Sequence, residues 1–503
     1  MVMNKGFAWN KTSVSGPIFT DDSVARELEL IDKDTKFYEW KSPTGELLSV
    51  ELPHTVYPPK EDTTFMAENL VRLGPGKGRK CLEIGVGSGV LSLLCHRQGW
   101  KVSACDINPY SVVAAKRLFS LNSASDIEVK EGGPGPKEDG ESIQWATKKN
   151  YELIFWNMPY ITPTLNDESH LGPLEDAALI DTSTTSLISI TLAKIKLSNL
   201  LANSGIGLFT VGEKFTQDYL EDICSKNGFS CRIINQLHFD DGECLRVIAF
   251  WHPYSKTPPI HKEVVGSTNS ELLTNDWPVG SSLSTDLQTK GRGRYDRKWI
   301  NSSELMACSW KIEKPIEMSP AILQIICGHL VKQSLQSIDD FSNDSQLILK
   351  WPNDLIILKG EKFGKVSGIL VESVSKGKIT HTVVGIGINI SNNSAVQNEN
   401  FPIAYTNWFS SSATAEYLQK QIHCRIAGLF ESVEGIPNTN FDYVKSMALT
   451  TIKEGFISCK SIFYRNSKVT FVNVNDDGTV SLKHEDGTQI SCDEGEHLDW
   501  LFL

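Results

Sequence analysis

Three glycines spaced Gly-x-Gly-x-Gly, at positions 85, 87 and 89, close one apolar run and open another. Cys81-Leu-Glu-Ile-Gly85 reads as a buried strand, and Val90 to Arg97 continues from the turn as a helix. Glycine there lets the backbone turn tightly and approach a ligand that a Cβ would exclude. Lys101 to Asp106 reads as the next strand, and Asp106 follows 21 positions after Gly85. From the end of that strand a carboxylate can accept hydrogen bonds from two ribose hydroxyls. Strand, turn, helix and strand in this order require a crossover unit, and hence a mostly parallel sheet.

The alternation continues to Phe250. Pro109 to Asn122 begins with proline in a helical first turn and carries Val112, Val113, Ala115 and Leu118 at helical spacing. Glu152 to Trp156, Gly205 to Val211 and Leu245 to Phe250 read as further strands. His252-Pro-Tyr-Ser-Lys-Thr-Pro-Pro-Ile260 then places three prolines in nine residues, which resists helix and strand alike and marks a linker. A second mixed domain is expected from Val264 to about Asn438. Near the end, Ser461 to Phe471, Asn475-Asp-Asp-Gly478, Val480 to His484 and Glu485-Asp-Gly487 read as hairpins of a small β-barrel.

Charge and cysteine usage narrow the function. Asp and Glu number 61 against 49 Lys and Arg, a formal charge of −12, which argues against an electrostatic grip on duplex DNA. No apolar run approaches the ~20 residues that span a bilayer, and Met1 to Ser15 lacks the continuous apolar stretch of a secretory signal. The 11 cysteines include no C-x-x-C pair, and no H-E-x-x-H occurs, so no metal site built from side chains is expected. Reduced, buried thiols in the cytoplasm are the reading that remains.

Glu83-Ile-Gly85-Val-Gly87-Ser-Gly89 lacks the spacing of the dinucleotide fingerprint. It resembles the S-adenosylmethionine turn of Rossmann-like methyltransferases, whose ligand carries no pyrophosphate. The fourth strand ends in Asn157-Met158-Pro159-Tyr160, similar to the N-P-P-Y motif of enzymes that methylate planar nitrogen. In that family the Asn oxygen and the next backbone carbonyl accept hydrogen bonds from the target NH2, and the aromatic ring packs on the planar group. The resemblance implies catalytic roles for Asn157 and Tyr160, and a cofactor site of Glu83, Gly85, Gly87, Gly89, Asp106 and Asn157. The chemistry needs mainly orientation, because the sulfonium is already activated. Met158 stands where the motif has its first proline, but the carbonyl it offers is a backbone group.

Val56-Tyr-Pro-Pro-Lys-Glu-Asp-Thr-Thr64 resembles the Y-x-P-x-E-D-T lead-in of the eukaryotic and archaeal branch of HemK-type glutamine methyltransferases. Those enzymes methylate the glutamine of a G-G-Q loop in a translation release factor. The resemblance covers about Val56 to Phe250, and leaves open another protein amide or a nucleic-acid amine as acceptor. A scaffold that binds the adenosyl group without methylating is an alternative reading.

Four stretches beyond the linker carry a second site. They are Ser267-Thr-Asn269; Gln288-Thr-Lys-Gly291-Arg292-Gly293-Arg294-Tyr-Asp-Arg297-Lys-Trp299; Lys350-Trp-Pro-Asn353-Asp354-Leu with Lys365-Val-Ser-Gly368-Ile-Leu-Val-Glu372; and Gly385-Ile-Gly387-Ile-Asn389. Gly-Arg-Gly-Arg is a loop suited to clamping phosphate oxygens with forked guanidinium hydrogen bonds. Lys-Trp-Pro-Asn-Asp offers a cation, a flat aromatic and a carboxylate close together, and Lys365 adds a point charge ahead of an apolar strand.

In this order the stretches resemble biotin protein ligases, from about Glu263 to the C-terminus. The resemblance implies that biotin and ATP-Mg2+ form biotinyl-5′-AMP, which a lysine of a biotin carboxyl carrier domain then attacks. Ser267, Thr268, Gln288 and Gly368 would bind biotin. Arg292, Arg294 and Arg297 would close over the adenylate, in a loop with Gly291 and Gly293. Trp299, Asn353 and Asn389 would surround the nucleotide, and Asn269, Lys350 and Gly385 complete the expected set. Lys365 would stabilise charge at the carboxylate–phosphate junction, and Asp354 would either orient the incoming lysine or assist its deprotonation. Ser367 stands where many members have glycine.

Biotin-operon repressors carry a winged-helix DNA reader ahead of the ligase. This chain has the methyltransferase-like stretch there, so no operator binding is expected. The fused ligase also raises carboxyl O-methylation serving biotin synthesis as an alternative. The expected layout is an N-terminal extension (1–50), an α/β Rossmann-like methyltransferase domain (51–254), a linker (255–262), a mixed α/β ligase domain (263–440) and a small SH3-like β-barrel (441–503).

Overall fold

A computed structural model describes residues 21–134, 144–159, 186–240, 242–274, 276–294, 299, 304–315, 318–377, 379–391 and 401–502. The chain has mixed α/β content and divides into two compact units. One comprises Met1–Lys148, Phe155–Ile190 and Thr210–Gly212, and the other Lys149–Ile154, Thr191–Phe209 and Glu213–Leu503.

The first unit opens with α1 (Asp21–Ile31) and an antiparallel hairpin, β1 (Lys36–Lys41) and β2 (Leu47–Leu52). Gly45, at φ +92°, makes the turn between them. Alternation puts Leu48, Val50 and Leu52 on the buried face of β2. Trp40 of β1 donates through Nε1 to Thr64 Oγ1 at 3.0 Å, fastening the hairpin to α2 (Glu61–Arg72). Residues before position 51, expected as an extension, thus include regular structure.

The strand–helix alternation follows, with β3 (Lys80–Ile84), α3 (Val90–Arg97), β4 (Lys101–Asp106), α4 (Pro109–Leu121), β5 (Glu128–Glu131) and β6 (Tyr151–Asn157). Asn108 caps α4 by accepting from the backbone N–H of Tyr110, and Pro109 supplies a preset first turn. Further along the chain come α5 (Leu187–Leu197), β7 (Leu201–Gly212), α6 (Gln217–Lys226), β8 (Ser230–His238) and β9 (Cys244–Trp251), the last three of them counted with the second unit. The seven strands lie in the order β5-β4-β3-β6-β7-β9-β8. β3, β4 and β5 run parallel, and β8 and β9 antiparallel. β3 and β4 are buried along nearly their whole length, as strands under crossover helices must be.

In the second unit a seven-stranded sheet has the order β10-β11-β12-β16-β15-β14-β13. Its members are β10 (Ile260–Val265), β11 (Ser282–Gln288), β12 (Glu304–Ile312), β13 (Ser345–Lys350), β14 (Asp354–Lys359), β15 (Lys362–Lys376) and β16 (Ile379–Ser391). Only β10 and β11 pair in parallel; the other ladders are antiparallel. Its helices are α7 (Thr268–Thr274), α8 (Pro320–Gln336), α9 (Ala415–Phe430) and α10 (Phe441–Ile457). Trp310, Ile326, Leu349, Ile386, Ile422 and Ala448 belong to one buried core joining the sheet to α8, α9 and α10. The proline-rich stretch is anchored within this unit. Tyr254 is buried, and its backbone N–H and Trp251 Nε1 both donate to Glu431 Oε2, at 2.9 and 2.8 Å.

The last strands are β17 (Ser461–Tyr464), β18 (Ser467–Val474), β19 (Val480–His484), β20 (Gln489–Cys492) and β21 (Leu498–Leu501). The run expected from Ser461 to Phe471 is broken by a two-residue turn. Arg465 and Asn466 both have positive φ, 47° and 66°, as a tight hairpin requires. The five strands form an antiparallel sheet in the order β20-β19-β18-β17-β21. The expected closed SH3-like barrel is not shown, because no ladder joins the edge strands β20 and β21 among the described residues.

Candidate active sites

The first site lies at the C-terminal end of β3. Gly85, Gly87 and Gly89 all have positive φ, +68°, +48° and +85°. A Cβ on Gly85 would lie 2.7 Å from Trp156 Nε1, and one on Gly89 3.1 Å from the Ala115 Cβ and from a ring carbon of Phe119. Over Gly87 nothing lies within 4 Å, so the turn exposes backbone to open space. A ligand can therefore approach the backbone at Gly87.

Two carboxyls support the turn. Asp106 accepts from the backbone N–H of Gly87 on Oδ2 and of Asn108 on Oδ1, both at 2.8 Å. Glu83 accepts from the Ser92 hydroxyl. Burial raises both pKa values, that of Glu83 well above the usual range; Asp106 raises Glu83 further and the Ser92 hydrogen bonds oppose. Each Asp106 oxygen has a second lone pair for a ribose hydroxyl.

Asn157 ends β6, with its Nδ2 donating to Asp62 Oδ2 at 2.8 Å. Met158 is 3% exposed, so the side chain replacing the motif's proline packs inside the unit. Tyr160 lies outside the described residues.

The second site is a cavity of about 570 Å³ in the second unit. Of the expected residues, Ser267, Thr268, Asn269, Gln288, Arg292, Gly293, Arg294, Trp299, Lys350, Asn353, Asp354, Lys365, Gly368, Gly385 and Asn389 line it. Gly291 does not, but its carbonyl accepts from the Trp299 backbone N–H at 2.9 Å. Arg297 lies outside the described residues.

The floor depends on strand register. Gly368 of β15 pairs with Gly387 of β16, and Leu370 with Gly385. Cβ atoms on Gly368 and Gly387 would lie 2.9 and 2.7 Å from the Trp299 ring, and one on Gly385 would overlap the Asn269 carboxamide. Their absence lets the indole and the amide lie against the sheet. Ser367 donates to the Gly387 carbonyl at 2.8 Å, so serine is accommodated by a cross-strand hydrogen bond.

At one end of the cavity Gln288 Oε1 accepts from the backbone N–H and hydroxyl of Thr268, at 3.0 and 3.2 Å. Ser309 Oγ lies within hydrogen-bond distance of Thr268 Oγ1 and Asn269 Oδ1, at 2.7 and 2.6 Å, with one proton to donate between them. Glu372 ties this end to the arginine loop. Its carboxylate accepts from Asn269 Nδ2 at 2.7 Å and pairs with Arg292 at 3.1 Å.

At the other end Lys365 Nζ lies 2.6 Å from Asp354 Oδ1 and 5.4 Å from the centre of the Trp299 ring. The Lys365 backbone is fixed by Pro402, Ala404 and Asn389, at 2.8, 2.9 and 3.2 Å. Asn353 donates to the Ile369 carbonyl at 2.8 Å.

Sequence reasoning missed Ser309 on β12, and it placed Glu372 of β15 in a motif without giving it a role; both roles arise from contacts across the sheet. It also missed Phe401, Ile403 and Glu496, which line the cavity. Trp351 is turned the other way: it is buried in the core, and its Nε1 donates to the Gly478 carbonyl at 2.9 Å.

Residues 262–389 match the biotin/lipoate A/B protein ligase family. The bifunctional ligase/repressor BirA of Bacillus spizizenii is 31% identical over 150 residues, 28% of this chain and 42% of that protein. A Methanocaldococcus jannaschii protein assigned as a protein N5-glutamine methyltransferase is 35% identical over 122 residues, 24% of this chain and 55% of that protein. The ribosomal protein L11 methyltransferase of Macrococcus caseolyticus is 30% identical over 123 residues, 24% of this chain and 37% of that protein. The chain thus spans about half or less of the length of these relatives. It joins an N-terminal region homologous to protein methyltransferases to a domain of the biotin/lipoate A/B protein ligase family.

Proposed function

We propose that the chain is a bifunctional enzyme, an ATP-dependent biotin–protein ligase fused to an S-adenosylmethionine-dependent, nitrogen-directed methyltransferase. The observation that carries the ligase reading is the convergence of Lys365, Asp354, Asn353, Asn389, Arg292 and Arg294 on one cavity floored by glycines.

Thr268, Asn269 and Gln288 hold biotin at the end braced by Ser309. The arginines clamp phosphate oxygens, and Lys365, fixed by its backbone, stabilises charge where the biotin carboxylate meets the α-phosphate. Asp354, beside Lys365, receives the lysine of a biotin carboxyl carrier domain. Mg2+ is read as the companion of the ATP phosphates, as the ligase resemblance implies. The C-terminal sheet is read as the ligase's SH3-like cap. The methyltransferase reading rests on the open turn at Gly87 and on Asn157, and its preferred acceptor is a protein glutamine such as that of a translation release factor.

All 11 cysteines are free and ten are buried, in keeping with a cytoplasmic protein. Among the described residues no helix is long and apolar enough to cross a membrane.

Biotin-dependent exchange of label between pyrophosphate and ATP tests the ligase, and transfer of labelled methyl to a release factor tests the methyltransferase. Absence of exchange would refute the first reading; cofactor binding without transfer to any acceptor would favour the scaffold alternative.

A further inference from the structure

The Asn157 carboxamide is held from one end only. Its Nδ2 donates to Asp62 Oδ2, while its Oδ1 is buried without a hydrogen-bond partner. Asp62 lies in the first turn of α2, is 3% exposed, and accepts from the Thr63 hydroxyl on its other oxygen at 3.4 Å. Both residues belong to the first compact unit, although 95 positions separate them.

A carboxylate accepts hydrogen bonds and an amide has one accepting and one donating end, so Asp62 decides which way the Asn157 amide faces. The flipped amide would set oxygen against oxygen in a buried place. In the held orientation a buried acceptor is left unpaired, and it is satisfied only when a donor arrives. An incoming carboxylate brings no donor, and it would meet the Asn157 oxygen with the Asp62 charge behind it.

We propose that Asp62 is a positioning residue that locks Asn157 with Oδ1 towards the methyl acceptor, so that the site takes an N–H donor and rejects a carboxylate. This rests on the reading of the first domain as a nitrogen-directed methyltransferase, and it disfavours carboxyl O-methylation. Sites built to pair with a hydrogen-bonding group discriminate strongly against analogues that cannot complete the pair.

The test uses the full chain, S-adenosylmethionine, and a peptide containing Gly-Gly-Gln beside its Gly-Gly-Glu counterpart. Asp62→Ala lowers kcat on the Gln peptide by roughly 10²-fold, the usual effect of losing orientation, with S-adenosylmethionine affinity unchanged. Asp62→Asn still offers an oxygen to Nδ2 and recovers much of the rate. In an Asn157→Ala background Asp62→Ala has no further effect, whereas a merely structural role would add.

A kcat for Asp62→Ala within about threefold of wild type, an Asn variant as impaired as the Ala variant, or equal rates on both peptides in the wild type would overturn the proposal. If the wild type methylates neither peptide, the acceptor reading fails, and the lock is judged separately by NMR. The Asn157 side-chain amide protons then exchange slowly in the wild type and fast in Asp62→Ala; equal exchange would rule the lock out. Should the Ala variant not fold, the same two readouts are made on Asp62→Ser, too short to reach Nδ2.

Discussion

Lys365 Nζ and Asp354 Oδ1 lie 2.6 Å apart, both side chains partly buried. The proposed charge stabiliser of the first step thus touches the proposed receiver of lysine in the second. Because the Lys365 backbone is fixed at three points, its ammonium needs little reorganisation when charge develops nearby. Lys365→Ala is expected to slow biotin-dependent pyrophosphate release by about 10²–10³-fold, the usual effect of removing one such group. An unchanged rate in rapid-quench measurements would remove Lys365 from the chemistry.

Gly387 separates binding from folding. A methyl group there meets the Trp299 ring at 2.7 Å, on the cavity floor. Gly387→Ala is expected to weaken biotin or ATP binding at least tenfold by calorimetry, with little change in melting temperature. Binding at wild-type affinity would mean that the indole moves aside freely.

Among the glycines of the first site, Gly89 and Gly87 differ in surroundings although both have positive φ. Alanine at either costs about 1–2 kcal/mol of backbone strain, but at Gly89 it also presses on Ala115 and Phe119. Melting should fall further for Gly89→Ala than for Gly87→Ala. Equal losses would show that packing around the turn yields readily.

Much of the first fold was legible because its signals are local. The helix Val90–Arg97 and the strand Lys101–Asp106 match the expectation residue for residue, since apolar runs, a glycine turn and Pro109 each act within a few positions. The hairpin at 36–52 was not foreseen, because it is fastened in place by Trp40 reaching Thr64, a contact between residues distant in sequence. The cavity residues in sequence motifs were found. The role of Glu372, at the end of one such motif, was not read, since this β15 residue bridges Asn269 and Arg292, groups that are distant in sequence. Trp351 shows the converse: a residue inside the Lys-Trp-Pro-Asn-Asp motif serves the core. Asp62 was legible as part of a lead-in but not as the partner of Asn157.

His423 makes stability depend on pH. Its Nδ1 accepts from Trp310 Nε1 at 3.0 Å, which requires the neutral ring, and burial holds its pKa down to about 4 against an ordinary 6.5. A depressed folded-state pKa contributes stability that is complete above about pH 6.5 and is lost as pH falls towards 4, up to about 3 kcal/mol. The stability difference between wild type and His423→Gln should therefore shrink across that window. A difference independent of pH would mean that the imidazole becomes protonated without cost.

The most direct test is to incubate the purified full chain with biotin, ATP, a biotin carboxyl carrier domain, labelled S-adenosylmethionine and a release factor, and to read both products at once. Asn157→Ala should lower methyl transfer by roughly 10²-fold, the usual effect of losing orientation, and spare biotinylation, and Lys365→Ala should do the reverse. Both products unaffected by their cognate variants, or only one product formed by the wild type, would contradict two independent active sites on one chain.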